Sequence, residues 1–182
     1  MTIFDPNLKR QAAGELGRPV GFAPDVQALA LRLIERIRLF LGGKPPAIQT
    51  AALPWRLRPD GTVEVLLATS RDTGRWVLPK GWPQKGRTLG ESASREAYEE
   101  VGVRGRLTPR EFGHYSYLKW LESGLNRRVR VSVFPLEVSE ECDVWPEQGQ
   151  REIHWTTCEI AAGRVDEPEL AALLRKFPGE VT

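Results

Sequence analysis

Residues 81–103 read GWPQKGRTLGESASREAYEEVGV, and this stretch decides the fold. Its opening, Gly81 to Arg87, mixes glycine, proline and bases without an apolar period, which predicts a loop starting at Lys80. From Leu89 the pattern turns helical. Thr88 and Glu91 form a capping-box pair at its start, and Gly102 stands where a left-handed residue ends a helix. Ala93, Ala97 and Val101 recur at i, i+4 and i+8, a narrow apolar ridge suited to close packing on a sheet. Glu96, Glu99 and Glu100 fall within about 100° of arc on another face. Like charges so spaced repel by a few tenths of a kcal/mol per pair. Either that face is simply solvated, or it gathers around a cation, and an all-oxygen donor set suits Mg²⁺ or Mn²⁺.

Working upstream, Ile48 to Leu57 and Val63 to Thr69 read as strands joined through the turn signal Pro59-Asp60-Gly61. Arg75 to Leu78 is a short apolar run leading into Pro79. Downstream, further strand-like runs lie at Phe112–Trp120, Val129–Val138 and Ile153–Thr156, and a closing helix at Glu167–Phe177 is stopped by Pro178-Gly179. Strands outnumber helices, which gives an α/β or α+β class with a mixed sheet. Ahead of all this, residues 1–24 are rich in Gly, Pro and polar groups, and Asp25 caps a helix of about 25–41. Its apolar stripe, Val26, Leu29, Ala30, Leu33, Ile34, Ile37 and Leu41, packs either on the neighbouring domain or on a second subunit as a homodimer. The chain is thus divided into an extension at 1–46, a domain at 47–178 and a tail at 179–182.

Composition narrows the function. The 182 residues carry 26 Lys+Arg against 24 Asp+Glu, a net charge of +2 that is too slight to argue for a nucleic-acid polymer as partner. Cys142 and Cys158 sit in no CxxC or CxxH spacing, which excludes a disulfide scaffold and structural zinc. No run of 18 apolar residues exists and residues 1–21 lack a signal-peptide core, so the expectation is a cytoplasmic protein off the membrane. Arg71, Arg75, Lys80, Lys85 and Arg87 crowd upstream of the acidic helix. Carboxylate-held divalent cations usually act on phosphate, so bases and metal together suggest a small-molecule polyphosphate substrate.

The stretch resembles the Nudix box, G-x5-E-x7-R-E-U-x-E-E-x-G-U, where U is a bulky apolar residue. Gly81, Arg95, Glu96, Glu99, Glu100, Gly102 and Val103 match at the pattern's spacing. Ala97 is smaller than the usual apolar residue, and Arg87 stands where the pattern has its first glutamate. The resemblance runs from near Ile48 to Phe177 and implies an α/β/α sandwich around the mixed sheet, with the N-terminal helix as an addition. Within the family, Thr69-Ser70-Arg71, Arg75-Trp76-Val77-Leu78-Pro79, Val103-Arg104-Gly105, Trp145, Arg151 and Trp155 are most like the phosphohydrolases of diphosphoinositol and diadenosine polyphosphates.

That resemblance implies hydrolysis of a phosphoanhydride by water with Mg²⁺ or Mn²⁺. It makes Glu96 and Glu100 metal ligands and Glu99 a ligand or a supporting acid. Arg95 orients a carboxylate, and Glu147, or Glu152, supplies a further acid or base from a distant loop. Arg71, Arg75, Lys80, Gly81, Trp82, Lys85 and Arg87 are the substrate-binding candidates, with the run Arg127-Arg128-x-Arg130 either gripping phosphate or solvating a loop. Trp82 either stacks on a base or plugs its loop. His114 and His154 are read as structural. Arg87 leaves a second reading open, a catalytically weakened Nudix-fold module that binds a nucleotide or polyphosphate.

Overall fold

The computed structural model describes residues 45–120 and 126–181, together with Leu33 and Ile37. Contacts divide the chain into units Met1–Pro45 and Pro46–Thr182. Residues 1–24 and the helix expected at about 25–41 lie outside the described residues, except that Leu33 and Ile37 are helical and exposed.

In the second unit the sheet is organised by two long strands, β1 (Ala47–Leu57) and β7 (Asn126–Glu141), which run parallel from Ala47 opposite Val129 to Trp55 opposite Glu137. β1 also pairs antiparallel with β2 (Val63–Thr69) and with the two-residue β4 (Lys80–Gly81). β2 takes β3 (Trp76–Val77) and β8 (Ile153–Thr157), while β7 takes β5 (Val103–Leu107) and β6 (Gly113–Trp120). The sheet is therefore mixed.

Period-2 alternation puts apolar side chains on both faces. On one face Leu53, Val65, Val129, Val131 and Val133 meet α2 (Cys158–Arg164) and α3 (Pro168–Lys176) through Ala161, Leu170 and Leu174, with Phe177 beyond. On the other, Ala52, Leu66, Phe134 and Leu136 receive α1 (Leu89–Val101) through Ala93, Ala97 and Val101, the expected ridge. Burying one Leu or Phe is worth about 1.5–3 kcal/mol, so these two clusters hold the three layers together.

The ends of α1 are set as the sequence predicts. Thr88 Oγ1 accepts from the Glu91 N–H at 3.2 Å, and Glu91 Oε2 accepts from the Thr88 N–H at 2.8 Å. Gly102 has φ 68°, and the Trp145 ring occupies the space a Cβ there would need. Thr50 Oγ1 donates to the Leu89 carbonyl at 2.7 Å, tying the helix start to β1.

Four features differ from expectation. Lys80 and Gly81 are paired with Ala51 and Thr50 of β1, so the loop begins only at Trp82. Val103–Leu107 forms a strand from a sequence with weak alternation, because β7 offers it a partner edge. Cys158–Arg164 is helical, started by Thr157 as its cap. Finally, the closing helix stops ahead of Pro178 as expected, but Pro178 then opens a further short helix, α4 (Pro178–Val181), as proline fits the first turn of a helix. No helix among the described residues is long and apolar enough to cross a membrane.

Candidate active site

α1 projects Glu96 and Glu100 into a cleft of about 680 Å³. β1 contributes Gln49, the turn after β2 contributes Ser70, Arg71, Asp72 and Thr73, and Lys80, Gly81 and Trp82 follow β3. β6 adds Tyr117, Leu118 and Lys119, and the loop before β8 adds Glu147 and Arg151.

A buried ion-pair network holds the acidic end. The Arg151 side chain is 5% exposed and pairs with Glu100, 9% exposed. It also donates to Glu147 Oε2 from Nη2 at 2.9 Å and from Nε at 3.1 Å, and to the Thr69 carbonyl at 3.1 Å. The Lys80 N–H reaches Glu100 Oε2 at 3.1 Å, and Arg71 donates to Glu147 Oε1 at 3.1 Å. Arg75 pairs with the buried Glu167 at 3.0 Å. Glu147 is further seated by its own N–H, which donates to the Glu99 carbonyl at 3.0 Å.

Glu96 is different. It has no hydrogen-bond or ion-pair partner among the described residues, and burial first, then Glu100, Glu99 and Glu147, push its carboxyl up to about 7. Burial also raises Glu100, against the pull of Arg151 and Lys80, and lowers the Lys80 ammonium. An unpaired carboxylate among other carboxylates is a place for a cation. Among the described residues no three acidic, imidazole or thiol groups converge into a cage. Mg²⁺ commonly takes one or two carboxylates and completes its shell with water and substrate phosphate. The donor set therefore fits Mg²⁺ or Mn²⁺ with Glu96 and Glu100 as the pair.

Two expected outcomes follow from this geometry. A Cβ at position 81 would overlap the Glu96 carboxyl group. Because that group is the movable end of its side chain, Gly81→Ala should leave the melting temperature nearly unchanged while lowering kcat/KM about 10- to 100-fold, since the carboxylate is displaced. Activity assays beside thermal melts check this. The raised carboxyl of Glu96 gives a pH effect of definite sign. With its folded value near 7 and its unfolded value near 4.5, the folded state binds the extra proton, so metal-free stability falls as pH rises through that window. Melts in EDTA from pH 5 to 8 should show this slope, and Glu96→Gln should flatten it.

The structure does not bring every expected residue to the cleft. Glu99 is held by Arg95, Nε to Oε1 at 2.7 Å, and both line a separate hollow with Arg87, Glu91, Tyr98 and Arg104 on the β5 side of α1. Arg87 joins them because it lies just ahead of the Thr88 cap and beside Glu91, past the turn closed by the Arg87 N–H on the Gln84 carbonyl. Lys85 is exposed and lines neither hollow. The run Arg127, Arg128 and Arg130 stays outside as well, with Arg130 joined to Glu111 at 2.8 Å. Glu152 and both histidines are exposed and away from the cleft lining. Sequence reading passed over Arg151 as a site residue, although its i, i+4 spacing from Glu147 was visible. Gln49 and Tyr117 gave no signal, since each sits in a strand pattern that explains it without a site.

A family model described as NUDIX domain matches residues 48–178. The chain is 36% identical over 101 residues to Nudix hydrolase 13, mitochondrial, of Arabidopsis thaliana, an alignment spanning 53% of this chain and 50% of that one. It is 34% identical over 81 residues to diphosphoinositol polyphosphate phosphohydrolase 3-beta of Homo sapiens, covering 44% and 45%. The chain thus spans about half the length of these relatives. Among solved structures, the C. elegans Ap4A hydrolase superposes with a TM-score of 0.56 over 76% of this chain and 100% of its own, at 23% identity, a likeness of fold.

Proposed function

The chain belongs to the NUDIX family, and from that premise we propose that it hydrolyses a phosphoanhydride bond in a polyphosphorylated small molecule, such as a diphosphoinositol or diadenosine polyphosphate, with Mg²⁺ or Mn²⁺ and in the cytoplasm. The observation that carries this reading is Glu96, an unpartnered carboxylate facing a cleft that also holds Arg71, Arg75, Lys80 and Arg151.

Glu96 and Glu100 would hold the cation. Bound there, it would supply charge neutralisation at phosphate oxygens and acidify a water molecule. The remaining work falls to the chain's own groups. Arg71 and Arg75 face the cleft with guanidinium groups that suit phosphate oxygens, each already steadied by a carboxylate, Glu147 and Glu167 respectively. Arg151 holds Glu100 and Glu147 in one frame, so the α1 carboxylate and the far loop keep their spacing. We assign Glu147 to fixing Arg71 and Arg151, because its oxygens are bonded to both. Glu99 and Arg95 form a supporting pair that braces α1.

Arg87 weighs less against catalysis than its place in the motif suggests. It lines the hollow on the β5 side of α1 and not the cleft, so it adds no positive charge beside Glu96 and Glu100. The weakened-module reading is separated by experiment. Phosphate release is measured with Mg²⁺ and with Mn²⁺ from a diphosphoinositol polyphosphate, a diadenosine polyphosphate, a nucleoside triphosphate, ADP-ribose and a nucleotide sugar. Turnover that needs the metal supports the hydrolase, whereas tight binding without turnover on any member moves the assignment to a binding module.

A further inference from the structure

The hollow on the β5 side of α1 encloses about 770 Å³, and none of the residues lining it also lines the cleft. Three segments each bring one guanidinium group to it: Arg87 from the loop ahead of α1, Arg95 from the helix and Arg104 from β5. Ser94 adds a hydroxyl, and Tyr98 and Leu107 add apolar surface. At position 87 the Nudix pattern has a carboxylate, and this chain puts a cation there instead.

The two carboxylates of the hollow are already committed. Glu91 Oε2 accepts from the Thr88 N–H at 2.8 Å and from the Thr88 hydroxyl at 3.0 Å, and Glu99 Oε1 accepts from Arg95 Nε at 2.7 Å. That leaves donors without acceptors. Among the described residues Arg87, though beside Glu91, forms no ion pair, and neither does Arg104. The Arg95 Nη groups and the Ser94 hydroxyl likewise make no hydrogen bond among those residues. Arg104 lies over the Tyr98 ring, 4.2 Å from its centroid, a contact that holds the guanidinium in place and leaves its charge unneutralised. Cations gathered in this way repel one another until an anion enters.

We propose that this hollow is a second anion site, separate from the cleft, which takes the phosphate group of a small soluble molecule. A planar carboxylate is satisfied by one fork in its own plane. Tetrahedral phosphate instead presents oxygens to donors arriving from several sides, as these do from loop, helix and strand. A phosphate monoester carries about −1.5 to −2 charges at neutral pH, enough to meet Arg87 and Arg104 together. Tyr98 and Leu107 supply the wall against which the organic part rests.

This inference goes beyond the hydrolase reading and is tested without turnover. Proton–nitrogen NMR spectra of the full chain in EDTA follow the Nε–H signals of Arg87, Arg95 and Arg104 and the Ser94 amide, while the Gly81 amide reports on the cleft. Inorganic phosphate and phenyl phosphate are added in separate titrations at constant ionic strength. The hollow signals should saturate with a Kd on the order of 1 mM for inorganic phosphate. Phenyl phosphate should bind about fivefold tighter through its apolar contact. Arg87→Glu, a change at an exposed side chain, should keep the melting temperature and weaken the hollow at least about tenfold, with the Gly81 response unchanged. Arg87→Lys should keep part of the affinity, because the charge stays and the fork is lost. Arg71→Ala should do the reverse, reducing the Gly81 response and sparing the hollow. Hollow signals that never saturate, that follow sodium chloride equally, or that respond in Arg87→Glu as in wild type would overturn the proposal.

Discussion

Arg151→Ala is expected to cost about 3–5 kcal/mol of folding stability and to remove turnover together with it, the largest combined effect of any single change in the site. The Arg151 side chain is buried, and among the described residues it alone joins Glu100 of α1, Glu147 of the loop before β8 and the Thr69 carbonyl at the end of β2. Without it, the Glu100 carboxyl keeps one backbone donor, the Lys80 N–H, and its burial goes unopposed by a neighbouring guanidinium. Its carboxyl is then raised further, or the unpaired buried charge destabilises the fold. Urea unfolding of the metal-free protein gives the stability loss, and phosphate release gives the activity. Arg151→Lys returns the charge without the planar fork that reaches three partners, so it should recover only part of either. A stability change within about 1 kcal/mol for the alanine variant would show that these pairs act as surface bridges and would remove Arg151 from the frame of the site.

Glu100→Gln is expected to lower kcat by about 10³-fold or more while the fold survives. The substitution keeps the shape and one carbonyl oxygen for Arg151 but removes the charge that, with Glu96, would attract a divalent cation. It also trades a buried ion pair for a neutral hydrogen bond, so a stability loss smaller than that of Arg151→Ala is expected. Titration calorimetry with Mn²⁺ should show metal affinity reduced in parallel with kcat. If turnover persists within about tenfold while Mn²⁺ binding is unchanged, Glu100 acts only as the anchor of Arg151, and the cation would have to be held elsewhere.

The acidic helix was legible because its determinants are local. The Thr88–Glu91 box, the Ala93-Ala97-Val101 ridge and Gly102 depend on spacing along one turn, and the helix spans Leu89–Val101 as those residues require. The long strands were legible from apolar runs for the same reason. Lys80–Gly81, Val103–Leu107 and Cys158–Arg164 were not, because each is short or weakly patterned and takes its conformation from a partner: β1, β7 and the packing beneath β2.

The sequence by itself determined which residues carry charge and at what spacing, and so the kind of chemistry: Glu96 and Glu100 one turn apart, and bases clustered within a few tens of residues. Sorting those charges was left to the tertiary structure. A helix has two sides, and the same acidic-basic motif sends Glu96 and Glu100 into the cleft while Arg87, Arg95 and Glu99 meet in a different hollow. Arg71, Gln49, Tyr117 and the neighbouring pair Glu147 and Arg151 come from distant parts of the chain and converge only because β1, β6, the turn after β2 and the loop before β8 are brought together by the sheet. Long-range electrostatic pairing and burial depend on that convergence. They separate the residues that face the cleft from those that merely resemble them in sequence.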